Sequence, residues 1–111
     1  MPEYVYIIKA TRAGFATEPT AEELDAMSMH FQYLKGLVEQ KVAILAGPCL
    51  DAAFGIVIYE AGTEEEARGI MENDPSVVAG VMSAEMHEFR VSLLQDGYVP
   101  LNQRKAVVPV G

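Results

Sequence analysis

Apolar and polar positions along this chain change period several times, and the changes mark out the elements. Residues 4–9 (Tyr-Val-Tyr-Ile-Ile-Lys) are aromatic and β-branched, which predicts a strand with Val5 and Ile7 on one face and Tyr4, Tyr6 and Ile8 on the other. Residues 11–19 read as a loop. Thr20-Ala21-Glu22-Glu23 has the spacing of a capping box, and behind it Leu24, Met27, Phe31, Leu34 and Val38 recur at three- and four-residue steps. That pattern predicts an amphipathic helix ending near Gln40 with those five residues facing the core. Short apolar runs at 42–46 and 54–59 predict two more strands. Gly47-Pro48 closes the first, and the short connection implies an antiparallel hairpin.

Thr63-Glu64-Glu65-Glu66 is a second capping box, opening a short helix with Ala67, Ile70 and Met71 inward. Asn73-Asp74-Pro75 stops it, since a residue before proline is pushed out of the α region. Residues 77–80 read as a connecting turn and 85–94 as a fourth strand. From Gln95 the chain is irregular. The expected organisation is one domain over 1–95 and a C-terminal extension over 96–111.

The order β-α-β-β-α-β implies an α+β, ferredoxin-like domain: a four-stranded antiparallel sheet with two helices on one face. A solvated second face calls for polar residues at alternate positions, yet the first three predicted strands are apolar on both sides. A second copy is therefore expected to cover that face, forming a homodimer.

Composition agrees. The chain has 111 residues, half of them hydrophobic, a high share for one small body. Lys plus Arg number 8 against 16 Asp plus Glu, a formal charge of −8. Such a balance speaks against nucleic acid and anionic membrane surfaces as partners. No apolar run is long enough to span a bilayer. Met1-Pro2-Glu3-Tyr4 lacks the basic and apolar regions of a signal peptide, so a cytoplasmic location is expected. The single cysteine, Cys49, permits no intrachain disulfide. Redox, metal and phosphate-binding motifs are not seen, and no cofactor is expected.

His30-Phe31-Gln32-Tyr33-Leu34-Lys35-Gly36-Leu37, Ala46-Gly47-Pro48, Gly55-Ile56-Val57-Ile58, Thr63-Glu64-Glu65-Glu66-Ala67 and Asn73-Asp74-Pro75 follow one another in an order and spacing that resemble the YCII-related family, over about residues 4–92. The resemblance implies a ferredoxin-like subunit whose dimer packs sheet against sheet as an α/β barrel. It also implies a His–Asp pair at a pocket, falling on His30 and Asp74. Relatives in the family and wider superfamily include a dehydrochlorinase of a chlorinated hydroxyquinol, muconolactone isomerases and cofactor-free monooxygenases. Members often carry a basic residue shortly before the histidine. Residues 23–27 offer none here, and Arg12 is the nearest basic candidate.

The residues themselves allow two readings. Imidazole titrates near neutrality and suits acid–base work. On the predicted helix His30 flanks the apolar stripe, about 60–80° from its centre. Asp74 closes the second helix, and a carboxylate on one ring nitrogen would fix the tautomer and leave the other for substrate. Alternatively His30 is a helix-flank residue and Asp74 a helix stop. Gly47 and Pro48 either shape a pocket or end a strand. Tyr6, with Tyr4 and Tyr59, either lines a pocket between sheets or packs with its hydroxyl at the rim. Cys49 reads as a small packed thiol. His87 is either a second acid–base candidate or an interface histidine, and His30 with His87 and a carboxylate a weakly supported metal site.

Three functions follow as expectations. The first is a cofactor-independent lyase or isomerase acting on a small oxygenated cyclic metabolite through His30 and Asp74, with Arg12, Gly47, Pro48 and Tyr6 contacting substrate. The second is a non-catalytic dimeric module holding a small-molecule ligand. The third is a cofactor-free monooxygenase.

Overall fold

The computed structural model describes residues 1–105. The elements are β1 (Glu3–Ala10), α1 (Ala21–Glu39), β2 (Ala43–Pro48), β3 (Gly55–Glu60), α2 (Glu64–Glu72), α3 (Pro75–Val78) and β4 (Met82–Phe89), followed by a single 3₁₀ turn at Leu101–Gln103. All strand pairings are antiparallel and the sheet order is β2-β3-β1-β4. This is the expected α+β, ferredoxin-like arrangement, with β1 central and both its edges hydrogen-bonded.

Register places the core. Tyr6 lies opposite Val57 on one side and Met86 on the other, and Tyr4 opposite Tyr59. Residues directly opposite share a face, so Tyr4, Tyr6, Ile8, Val57 and Tyr59 form one layer. That layer packs with Ala26 of α1 and Ala67 and Met71 of α2. The Tyr6 ring meets the Tyr59 ring edge-on at 5.4 Å, and Tyr4 meets it tilted at 6.0 Å. The three tyrosines thus lie beneath the helices, so of the two readings the packed one holds and the pocket between sheets does not. The Tyr59 hydroxyl donates to the Ala67 carbonyl at 2.7 Å. The other face of β1 and β3 carries Val5, Ile7 and Ile56, only half-buried.

Helix α1 opens on the full capping box: Thr20 accepts from the Glu23 amide and Glu23 reaches back to the Thr20 amide. Its orientation differs from the expected one. Leu24, Phe31 and Val38 are 58%, 64% and 47% exposed, whereas Met27 and Leu34 of the same stripe are half-buried against the core as expected, beside buried Glu23 and Ala26 and half-buried His30, Tyr33 and Leu37. Each of these last five precedes a member of the predicted stripe by one position, and with Met27 and Leu34 also inward the buried face is centred between the two sets, a rotation smaller than the ~100° of one residue. The inward set has the same three- and four-residue steps, but three of its five members are polar and satisfy their polar atoms inside. Tyr33, for one, donates to the Ile70 carbonyl at 2.7 Å.

Helix α2 forms where expected, with Ala67 and Met71 buried. Its cap is half a box: Thr63 accepts from the Glu66 amide, but the Glu66 carboxylate accepts from the Gly62 amide instead of that of Thr63. The first half of the predicted turn at 77–80 belongs to the one-turn helix α3, which is capped at Ala79 and followed by Gly80 at φ +73°. β4 begins and ends earlier than the predicted 85–94. The strand beside it ends at Glu3, which pairs with Phe89, so Val91, Leu93 and Leu94 have no strand to pair with. Of the predicted extension, residues 106–111 lie outside the described part. Among the described residues no helix is long and apolar enough to cross a membrane.

Candidate functional site

Three elements converge above the middle of β1. His30 projects from the inward face of α1, Tyr6 from the helix-facing side of β1, and Asp74 stands between α2 and α3. Asp74 does more than stop a helix. Asn73 caps the C-terminus of α2, and Asp74 is the N-cap of α3, with Pro75 in the first turn. Asp followed by Pro is a helix start as much as a helix stop, because proline's fixed φ suits the first helical position.

Asp74 is fully buried and receives four hydrogen bonds. The Ser76 amide and hydroxyl donate to Oδ1 at 2.9 and 2.8 Å. The Tyr6 hydroxyl donates to Oδ2 at 2.7 Å. His30 Nδ1 stands 2.8 Å from Oδ1 and 2.7 Å from Oδ2. An ionised carboxylate only accepts, so Nδ1 carries the proton and Nε2 is the ring nitrogen with a free lone pair while the ring is neutral. The His30 side chain keeps 12% exposure.

The electrostatics follow from these contacts. Burial by itself would raise the Asp74 carboxyl, but hydrogen bonds from His30 and Tyr6, the His30 charge and the Ser76 hydrogen bond outweigh it, leaving Asp74 below the ordinary aspartate value. Burial first, then the charge and hydrogen bonding of Asp74, push the Tyr6 phenol far up. Tyr6 therefore stays a donor throughout the accessible pH range.

The other candidate residues lie elsewhere. Arg12 pairs with Glu23, its Nε and one terminal nitrogen reaching the two carboxylate oxygens at 3.0 and 2.7 Å, and it also donates to the Glu18 carbonyl. Hydrogen bonds from Arg12 and then from the Thr20 backbone pull the Glu23 carboxyl down to about 2. Gly47 and Pro48 line an apolar recess of about 260 Å³ with Leu45, Ala46, Cys49, Phe54 and Ile56, on edge strand β2 and the hairpin beyond it. Among the described residues no hydrogen bond or ion pair links them to His30 or Asp74. His87 stands opposite Val5 on the half-buried sheet face, with Nε2 3.6 Å from a Glu85 carboxylate oxygen. Tyr6 reaches the site, but its hydroxyl is committed to Asp74. Ser76 was missed by the sequence reading. Its signal was the Asp-Pro-Ser run, in which the aspartate caps the amide two residues on.

No curated protein matches the sequence. Among solved structures, the chain is similar to 5-chloro-2-hydroxyhydroquinone dehydrochlorinase (TftG) from Burkholderia phenoliruptrix AC1100, in complex with 2,5-dihydroxybenzoquinone. The TM-score is 0.60 at 23% identity, covering 78% of this chain and 93% of that one, which shows a shared fold. The family model for the YCII-related domain matches residues 3–90, the whole βαββαβ body with both His30 and Asp74, and the chain belongs to that family.

Proposed function

We propose that this protein is a cofactor-independent lyase or isomerase in which His30 Nε2 takes a proton from, or returns one to, a small oxygenated cyclic metabolite. The reading is carried by the Nδ1–Asp74 contact, with both carboxylate oxygens at 2.7–2.8 Å. A buried anion there holds the ring in one tautomer and stabilises the imidazolium that forms on proton uptake. Asp74 has its own oxygens filled by donors and serves as orienter and counter-charge. The dehydrochlorinase that shares the fold supports the substrate class: loss of HCl needs a base for the proton while chloride leaves unaided.

In this proposal the working unit is a cytoplasmic homodimer. The Val5, Ile7 and Ile56 face packs on its counterpart, since half-buried β-branched residues on one sheet face fit an interface better than water. Arg12, bound to Glu23, and the Gly47–Pro48 recess on edge strand β2 are both left out of the substrate site.

The test is turnover of a panel of lactones and halogenated phenols by wild type, His30→Ala and Asp74→Asn. Loss of His30 is expected to cost about 10²–10⁴-fold in rate, with Asp74→Asn between the two. Equal activity in all three, or none in any, overturns the catalytic reading. Binding without turnover would leave a ligand-holding module.

A further inference from the structure

We propose that Ser76 is a positioning residue for the His30–Asp74 pair, holding the carboxylate in its two-oxygen approach to His30 through two hydrogen bonds to Oδ1. The inference rests on the acid–base reading above. Ser76 is fully buried and sits two residues after Asp74, at the start of α3. Its backbone amide and its hydroxyl both reach Oδ1. A carboxylate carried on a single rotatable bond would otherwise swing one oxygen towards a lone donor. Here Ser76 fixes Oδ1 and Tyr6 fixes Oδ2, so each oxygen has its own donor besides His30. Both oxygens are then left equidistant, within 0.1 Å, from His30 Nδ1.

The Ser76 hydroxyl has one proton and gives it to Asp74. Its oxygen lies 3.4 Å from His30 Nδ1, so it presents lone pairs, not a competing proton, to the imidazole N–H. The three oxygens around Nδ1 are all acceptors, and that surrounding admits only the Nδ1–H form. Ser76 reaches the reacting nitrogen through Asp74 and the ring and does not touch substrate itself.

The test is ¹³C NMR of the Asp74 carboxyl carbon across acid pH, with the His30 Nδ1–H resonance followed in the same samples, for wild type, Ser76→Ala and Ser76→Thr. In Ser76→Ala one donor to the anion is gone. The Asp74 titration midpoint should rise by about half a unit or more, and the Nδ1–H resonance should move, as the carboxylate becomes a stronger acceptor. Ser76→Thr keeps the hydroxyl and should restore both. An unchanged midpoint and resonance in folded Ser76→Ala overturn the proposal. If Ser76→Ala does not fold, Ser76→Cys replaces the donor by a weaker one, and a wild-type midpoint there overturns it equally. Wild-type protein whose His30 carries its proton on Nε2 would instead overturn the acid–base reading. The two failures are therefore distinguishable.

Discussion

Tyr6 stands on the central strand and gives its hydroxyl proton to Asp74 Oδ2 at 2.7 Å, joining the sheet to the loop between two helices across 68 positions of sequence. The bond has a buried anion at one end and a buried phenol at the other. Neither can turn to water, so the contact is structural and electrostatic together.

Tyr6→Phe should therefore cost roughly 1.5–3 kcal/mol of stability, the range for a hydrogen bond to a charged group. The ring packing against Tyr59 is retained, so no cavity beyond the hydroxyl is made. Urea denaturation of wild type and variant measures the difference. A loss below about 0.5 kcal/mol would show that the bond contributes little.

Acid should unfold the protein through two carboxylates. Glu23 titrates at about 2 in the folded chain against an ordinary 4.5, and Asp74 also lies below its ordinary value. For a group with a depressed folded value, the stabilisation is complete above the unfolded value and is lost as pH falls towards the folded one. Stability should fall between about pH 4.5 and pH 2. Arg12→Ala, which removes the main partner of Glu23, should move the acid midpoint upward when followed by circular dichroism. An unmoved midpoint would mean the Arg12–Glu23 pair does not contribute to the acid limb.

The rotation of α1 is open to direct test. Phe31→Ser alters a side chain 64% exposed in the subunit and should change subunit stability by no more than about 0.5 kcal/mol. Leu37→Ala, on the inward face, should cost roughly 2 kcal/mol or more. The reverse ranking in chemical denaturation would restore the orientation read from the apolar stripe.

Sedimentation at micromolar concentration should give a dimer, and Ile7→Asp combined with Ile56→Asp should give a monomer. A monomeric wild type would remove the proposed sheet-face interface.

The element order was legible because strong local signals announce it: β-branched runs, the Thr20 and Thr63 caps, and the short connection between β2 and β3, although Gly47 and Pro48, expected to close the strand, belong to β2 and the turn follows at Cys49. The facing of α1 was not. Two stripes with the same period lie one residue apart on that helix, and the buried face falls between them, leaving Leu24, Phe31 and Val38 of the oilier one outside. The other carries His30 and Tyr33, whose partners, Asp74 and the Ile70 carbonyl, are distant in sequence and invisible to periodicity. The end of β4 was misjudged for a similar reason. Val91, Leu93 and Leu94 read as strand, but a strand needs a neighbour, and β1 has begun only at Glu3. In the site, the resemblance brought His30 and Asp74 together, whereas the Ser76 and Tyr6 contacts depend on register and on α3, which the sequence reading had taken for a turn.

The most direct test of the central claim is the pH dependence of kcat/KM for wild type and Asp74→Asn on any panel member that is turned over. If His30 Nε2 is the base and Asp74 its counter-charge, kcat/KM should be lower in Asp74→Asn than in wild type at every pH at which both proteins are folded. Identical profiles for the two proteins, or no turnover of any member by wild type, would contradict the account.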